Sequence, residues 1–87
     1  MTMKPTQHVR ANVSDDNLIV LDLVKGQIFT ANAIGSRIWR GLFVDEQPKE
    51  QLVEVIATEF GTTQEVVEKD VEKFVVQLKQ QGLVADS

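Results

Sequence analysis

The hydrophobic pattern changes period once, near residue 32, and that change limits what the chain can fold into. Upstream, short apolar runs rich in β-branched residues are separated by turn formers, and downstream apolar residues recur every three or four positions. Val9-Arg10-Ala11-Asn12-Val13 alternates as a strand does, and Ser14-Asp15-Asp16-Asn17 is a turn cluster. Leu18-Ile19-Val20-Leu21-Asp22-Leu23 is too short for a helix and reads as a central strand. Lys25-Gly26 is a second turn, and Gln27-Ile28-Phe29-Thr30-Ala31 a third strand. The spacing predicts a three-stranded antiparallel meander.

Asn32 is suited to cap a helix over about 33–42, whose apolar positions are Ile34, Ile38, Trp39 and Leu42. Pro48 fits the first position of a second helix, with Leu52, Val55, Ile56 and Phe60 as its stripe and Gly61 as its stop. Thr62-x-x-Glu65 has capping-box spacing, so a third helix is expected from about Thr63 to Gln81, ended by Gly82. On that helix Val67, Val71, Phe74, Val75 and Leu78 share one arc and are expected to face the core. Asp70, Lys73 and Gln77 border the arc on one side, while Val76 lies opposite it and is expected to be exposed. Leu83-Val84 is expected to fold back onto the sheet. Three strands followed by three helices is an α+β layout of the winged helix-turn-helix kind, in one domain over residues 1–87 with its core at about 9–84.

The chain has 87 residues, no cysteine and one histidine, His8. Disulfides, thiolate nucleophiles and triad chemistry are thereby excluded, and the ligand count argues against a metal. His8 reads as a solvated residue of a polar tail. Glu50 with Glu54, and Glu65 with Glu68 and Glu72, lie opposite the apolar stripes and read as solvated faces rather than acid–base pairs. The glycines form neither a P-loop nor a dinucleotide fingerprint. Ser36 has no base beside it and reads as helix surface, and Trp39 as a core anchor. We expect no enzyme activity and no cofactor. No apolar run is long enough to span a membrane or act as a signal peptide, and a soluble cytoplasmic protein is expected.

Charge is unevenly placed. Residues 1–42 carry a net +2 and residues 43–87 a net −6. A recognition helix on DNA needs Arg, Lys, Asn or Gln facing bases and phosphates, whereas the third helix carries Glu65, Glu68, Asp70 and Glu72 among its lysines. Nucleic acid is not the expected partner. If Gln27–Ala31 lies at a sheet edge, its unpaired N–H and C=O groups form a template for an incoming strand. The same edge permits homodimerisation by edge pairing.

The run Gly26-Gln27-Ile28-Phe29-Thr30-Ala31-Asn32-Ala33-Ile34-Gly35-Ser36-Arg37-Ile38-Trp39 resembles the PqqD family, with its Asn, Gly and Ile-Trp in the family's spacing. Val67-x-x-Asp70-Val71-x-x-Phe74-Val75-x-x-Leu78, followed by Gly82-Leu83-Val84, is similar to the family's closing helix, and Leu21-Asp22 to its second strand. The likeness covers about residues 9–84. It departs at Ile28, where an aromatic is common, and at Ala31, where Leu is common.

The resemblance implies a RiPP recognition element, a winged-helix domain that captures the leader of a ribosomally made precursor peptide. In such domains the leader adds to the third strand and lies against the third helix. That nominates Gln27, Ile28, Phe29, Thr30 and Ala31 as one wall of a peptide site, with Asp70, Lys73, Phe74 and Gln77 as the other. The implied partners are the leader and a modifying enzyme, either a lasso-peptide leader protease or, in pyrroloquinoline quinone synthesis, a radical-SAM enzyme. A DNA-binding winged helix, a small enzyme and a structural subunit are the competing readings.

Overall fold

The computed structural model describes residues 3–86. Strands β1 (Met3–Pro5), β2 (Val9–Val13), β3 (Leu18–Asp22) and β4 (Gln27–Ala31) precede helices α1 (Ala33–Trp39), α2 (Lys49–Phe60) and α3 (Gln64–Gln80) and a last strand β5 (Val84–Asp86). Strands β2, β3 and β4 form the expected antiparallel meander with β3 in the middle. The architecture is the α+β winged helix-turn-helix that the periodicities predict, with one addition. Leu83-Val84 does turn back, but onto the N-terminus: β5 pairs with β1 in a separate two-stranded ribbon, Pro5 opposite Val84. Thr6 N–H donates to the Leu83 carbonyl at 3.0 Å and ties this ribbon to the end of α3.

The inner face of the sheet supplies Leu18 and Val20 to the core. Ile38 and Trp39 of α1, Leu52 and Ile56 of α2, and Val67, Val71, Phe74 and Leu78 of α3 cover them. The α3 stripe is the one its spacing predicts, and Val76 on the far side is exposed. Helix ends differ in detail. Thr63, not Thr62, caps α3, its side chain accepting from Val66 N–H at 3.2 Å. Pro48 sits one position before α2 rather than in its first turn.

After Trp39 the helix continues as a π-helical turn over Arg40–Val44, marked by the Asp45 N–H donating to the Arg40 carbonyl at 2.8 Å. Gly41 lies in this turn and is buried against α2, where a Cβ would overlap the fully buried head of Leu52. Ser36 is not on the surface as expected. It is buried, and its hydroxyl donates to the Ser14 carbonyl, joining α1 to the β2–β3 turn.

Among the described residues Asp22 is the one buried acid, at the end of β3. Its Oδ1 accepts from the N–H groups of Val24 and Lys25 at 3.0 and 2.9 Å, shaping the β3–β4 turn. Its Oδ2 lies 3.6 Å from His8 Nε2. His8 is therefore not a freely solvated tail residue: it is half-buried beside an acid that needs a partner. The Lys25 hydrogen bond first, then that from Val24 and the charges of His8 and Lys25, hold the Asp22 carboxyl below its ordinary value of 3.8 against the opposing effect of burial.

Two outcomes follow from this packing. Gly41→Ala should destabilise the fold by about 1–3 kcal/mol, because the added methyl meets a side chain with nowhere to move; a lowered midpoint in urea unfolding is the check. Asp22 favours folding while charged, so its contribution is complete above about pH 5 and is lost as pH falls through its depressed folded value. Asp22→Asn should thus be less stable than the wild type at pH 7, and the gap between them should narrow in urea titrations taken progressively below pH 4.

Candidate functional site

Strand β4 is a sheet edge, and its free groups can be located from the ladder. The Leu23 N–H donates to the His8 carbonyl and the Ser14 N–H to the Asn17 carbonyl. Bonded pairs alternate along an antiparallel ladder, so in the observed register Ile19 and Leu21 bond towards β2. Leu18, Val20 and Asp22 are left to bond Ala31, Phe29 and Gln27 of β4. The main-chain N–H and C=O groups of Ile28 and Thr30 consequently face the open edge.

That edge carries none of the devices that usually blunt one. Gln27–Ala31 has no charge, proline or bulge, whereas the opposite edge, β2, carries Arg10. Alternation turns the Phe29 side chain inward, where its ring lies 6.0 Å from that of Phe74 on α3. Ile28 and Thr30 point the other way and are exposed.

Between β4 and α3 runs a groove of about 550 Å³. Phe29, Ala31, Ile34, Ile38 and Phe74 give it an apolar lining, and Asp70, Lys73, Gln77, Gln80 and Gln81 line the α3 side. A smaller hollow of about 280 Å³ continues it past Gln27, Ile28 and Leu83. Gly35 lets α1 close the end of the groove: a Cβ there would stand 2.5 Å from that of Ala31 and 3.3 Å from the Phe74 ring. Asn32 caps α1 through its side chain, which accepts from Gly35 N–H at 3.0 Å. Neither Asp70 nor Lys73 is in an ion pair among the described residues, whereas Lys49 and Glu72, away from the groove, are paired.

All nine residues nominated from the sequence lie along this groove or its continuation, with Phe74 serving both core and wall. Asn32, Ile34, Gly35, Ile38, Gln80 and Gln81 line it as well and were not among them. The glutamines could have been found from their spacing, since Gln77, Gln80 and Gln81 stand at i, i+3 and i+4 on one helix face. Among the described residues, no three His, Cys, Asp or Glu side chains are grouped to hold a metal, and no helix is long and apolar enough to cross a membrane.

Fold and site together define a winged helix-turn-helix domain with a groove between its open sheet edge and its last helix. A family model described as coenzyme PQQ synthesis protein D (PqqD) matches residues 17–84, and the chain belongs to that family. Among solved structures it is similar to TbiB1 in complex with the TbiA(beta) leader peptide, at 30% identity over 97% of this chain and 96% of that one, with a TM-score of 0.83. It also shares the fold of a lasso peptide synthetase B1 complexed with the leader peptide, at 17% identity over 99% of this chain and 100% of that one, with a TM-score of 0.87. No curated protein sequence matches.

The alternation along β4 is directly measurable. In amide hydrogen exchange of the peptide-free protein, Ile28 and Thr30 should exchange much faster than Phe29, which is bonded to β3. Equal protection at all three would contradict the open edge.

Proposed function

We propose that the chain binds the leader segment of a ribosomally made precursor peptide, without chemistry of its own, and holds it for the enzyme that matures that peptide. The observation that carries this reading is the uncharged open edge of β4, with the main-chain groups of Ile28 and Thr30 free beside a groove that has apolar residues in its lining and a polar α3 side. The leader complex of TbiB1, at 30% identity over nearly the whole chain, supports it. In this reading the chain acts as one recognition domain in the cytoplasm, and a leader segment adds as a strand to β4. Alternate side chains of the segment enter the groove beside the packed rings of Phe29 and Phe74, and Asp70 and Lys73 meet its charges.

Holding the leader raises the local concentration of the attached core peptide at the enzyme, which is how a protein without catalytic groups accelerates maturation. We take the pathway to be that of a lasso peptide, with a separate leader protease as the partner. Coenzyme PQQ synthesis beside a radical-SAM enzyme is the second reading, favoured by the description of the family model.

A fluorescence-polarisation titration with leader peptides from the short reading frames nearest the gene tests the function, and the leader that binds decides the pathway. Saturable binding that a scrambled leader lacks is the expected result. Thr30→Pro removes a donor that faces the edge and no bond to β3, so the variant should fold normally and bind the leader at least tenfold more weakly. A folded variant of unchanged affinity would exclude strand addition at this position.

A further inference from the structure

Beside the groove, on the other side of α1, lies a second hollow of about 290 Å³ that the proposed function leaves unused. Only α1 separates the two: Ile34 and Ile38 line the groove, and their chain neighbours Ala33 and Arg37 line the hollow. Its other walls are Arg40, the β2–β3 turn at Ser14 and Asp15, and the end of α2 at Glu59 and Phe60. The Ser36 hydroxyl, donating to the Ser14 carbonyl, fixes that turn against α1.

The two arginines of this hollow have donors to spare. The Arg37 side chain is only 19% exposed, and Glu59 accepts from its Nε at 3.2 Å and its Nη2 at 3.4 Å. Its Nη1 is buried with no partner among the described residues. A buried donor without an acceptor costs free energy that an acceptor brought to it recovers. Arg40 is tied only loosely: its Nη1 lies 3.8 Å from Asp15, beyond hydrogen-bonding distance, and the Asp15 side chain is 92% exposed. A better placed carboxylate displaces Asp15 at little cost.

We infer that this hollow holds a carboxylate of the leader, an Asp or Glu in the stretch that runs on past the strand-forming segment. The inference rests on the leader-binding reading above. Continuity names the occupant. Strand β4 ends at Ala31, which lines the groove, and Ala33, two residues on, lines the hollow. A segment leaving the edge at Ala31 therefore needs about two more residues, at up to about 3.6 Å each, to reach it. The residue it crosses, Ala33, is small. Chemistry names the group, because the planar donor fork of Arg matches a carboxylate, while Asp15 and Glu59 make a polyanion a poor fit. The half-exposed ring of Phe60 at the hollow takes an apolar neighbour of that acid. The hollow thus adds a sequence requirement that lies outside the groove.

The test uses the leader that the wild-type chain binds, labelled for fluorescence polarisation, and forms of it in which each Asp or Glu in turn is replaced by Asn or Gln. One of these amide forms should bind the wild type at least fivefold more weakly. Arg37→Gln and Arg40→Gln should each weaken binding of the unaltered leader at least fivefold, and neither should weaken binding of that amide form further, which marks the groups as coupled. Neither arginine lines the groove, so both variants keep the strand edge. Arg40→Gln tests the inference even where loss of the Arg37–Glu59 pair disturbs α1.

Unchanged affinity in the folded variants, an equal loss with every amide form, or tight binding of a leader that has no Asp or Glu overturns the inference while leaving leader binding intact. So does a loss confined to binding of the maturation enzyme, because the hollow would then belong to that partner. Failure of the wild type to bind any leader is a different result: it removes the proposed function and this inference with it.

Discussion

The groove depends on one close approach, that of Gly35 to Ala31 and Phe74. Without a Cβ at position 35, the first turn of α1 rests against the end of β4, and the Phe74 ring of α3 closes on both. A larger residue would push α1 off the strand or α3 off the sheet. Because the contact holds, Phe29 and Phe74 stay at ring-packing distance and the space beside them keeps its width. A strand edge by itself would be a hazard for aggregation. A strand edge with a helix fixed alongside admits only a segment that fits between the two.

The main elements were legible in the sequence because each announces itself by period. The apolar stripe of α3 recurs at helical spacing, and β2 to β4 are separated by turn residues that have little other use. What could not be read was pairing between distant residues. The β1–β5 ribbon joins two three-residue segments from opposite ends of the chain, one of them containing Pro5, and neither alternates clearly. Ser36 and His8 were misread for the same reason: a polar side chain looks solvated until its partner is known, and theirs are Ser14, 22 residues away, and Asp22. The cap of α3 shifted from Thr62 to Thr63 because two adjacent threonines offer the same chemistry, and only the backbone decides between them.

The two walls of the site could be located in the sequence for different reasons. The strand wall follows from the resemblance, since nothing in Gln27–Ala31 alone fixes it at an edge. For the helix wall the resemblance points to α3 and the helical spacing to its residues: Asp70, Lys73 and Gln77 border one side of the core stripe, and that side lines the groove. The end of the groove at Asn32 and Gly35 was missed because a cap and a glycine look like local structure. Here the same two residues also shape a surface.

For the proposed strand addition, magnitudes indicate which part of the groove would set specificity. Ile28 and Thr30 offer at most four main-chain hydrogen bonds to an added strand, and at about 0.5–1.5 kcal/mol net each they contribute about 2–6 kcal/mol. Losing translational and rotational freedom on association costs about 4–15 kcal/mol. Strand addition alone therefore leaves an arbitrary peptide weakly bound, and main-chain bonds do not distinguish one sequence from another. Useful affinity has to come from apolar side chains of the peptide buried against Phe29, Ile34, Ile38 and Phe74, at about 1.5–3 kcal/mol for each large side chain fully buried. In the proposed function the strand edge would set the register and direction of the peptide, and the floor of the groove would decide which peptide remains.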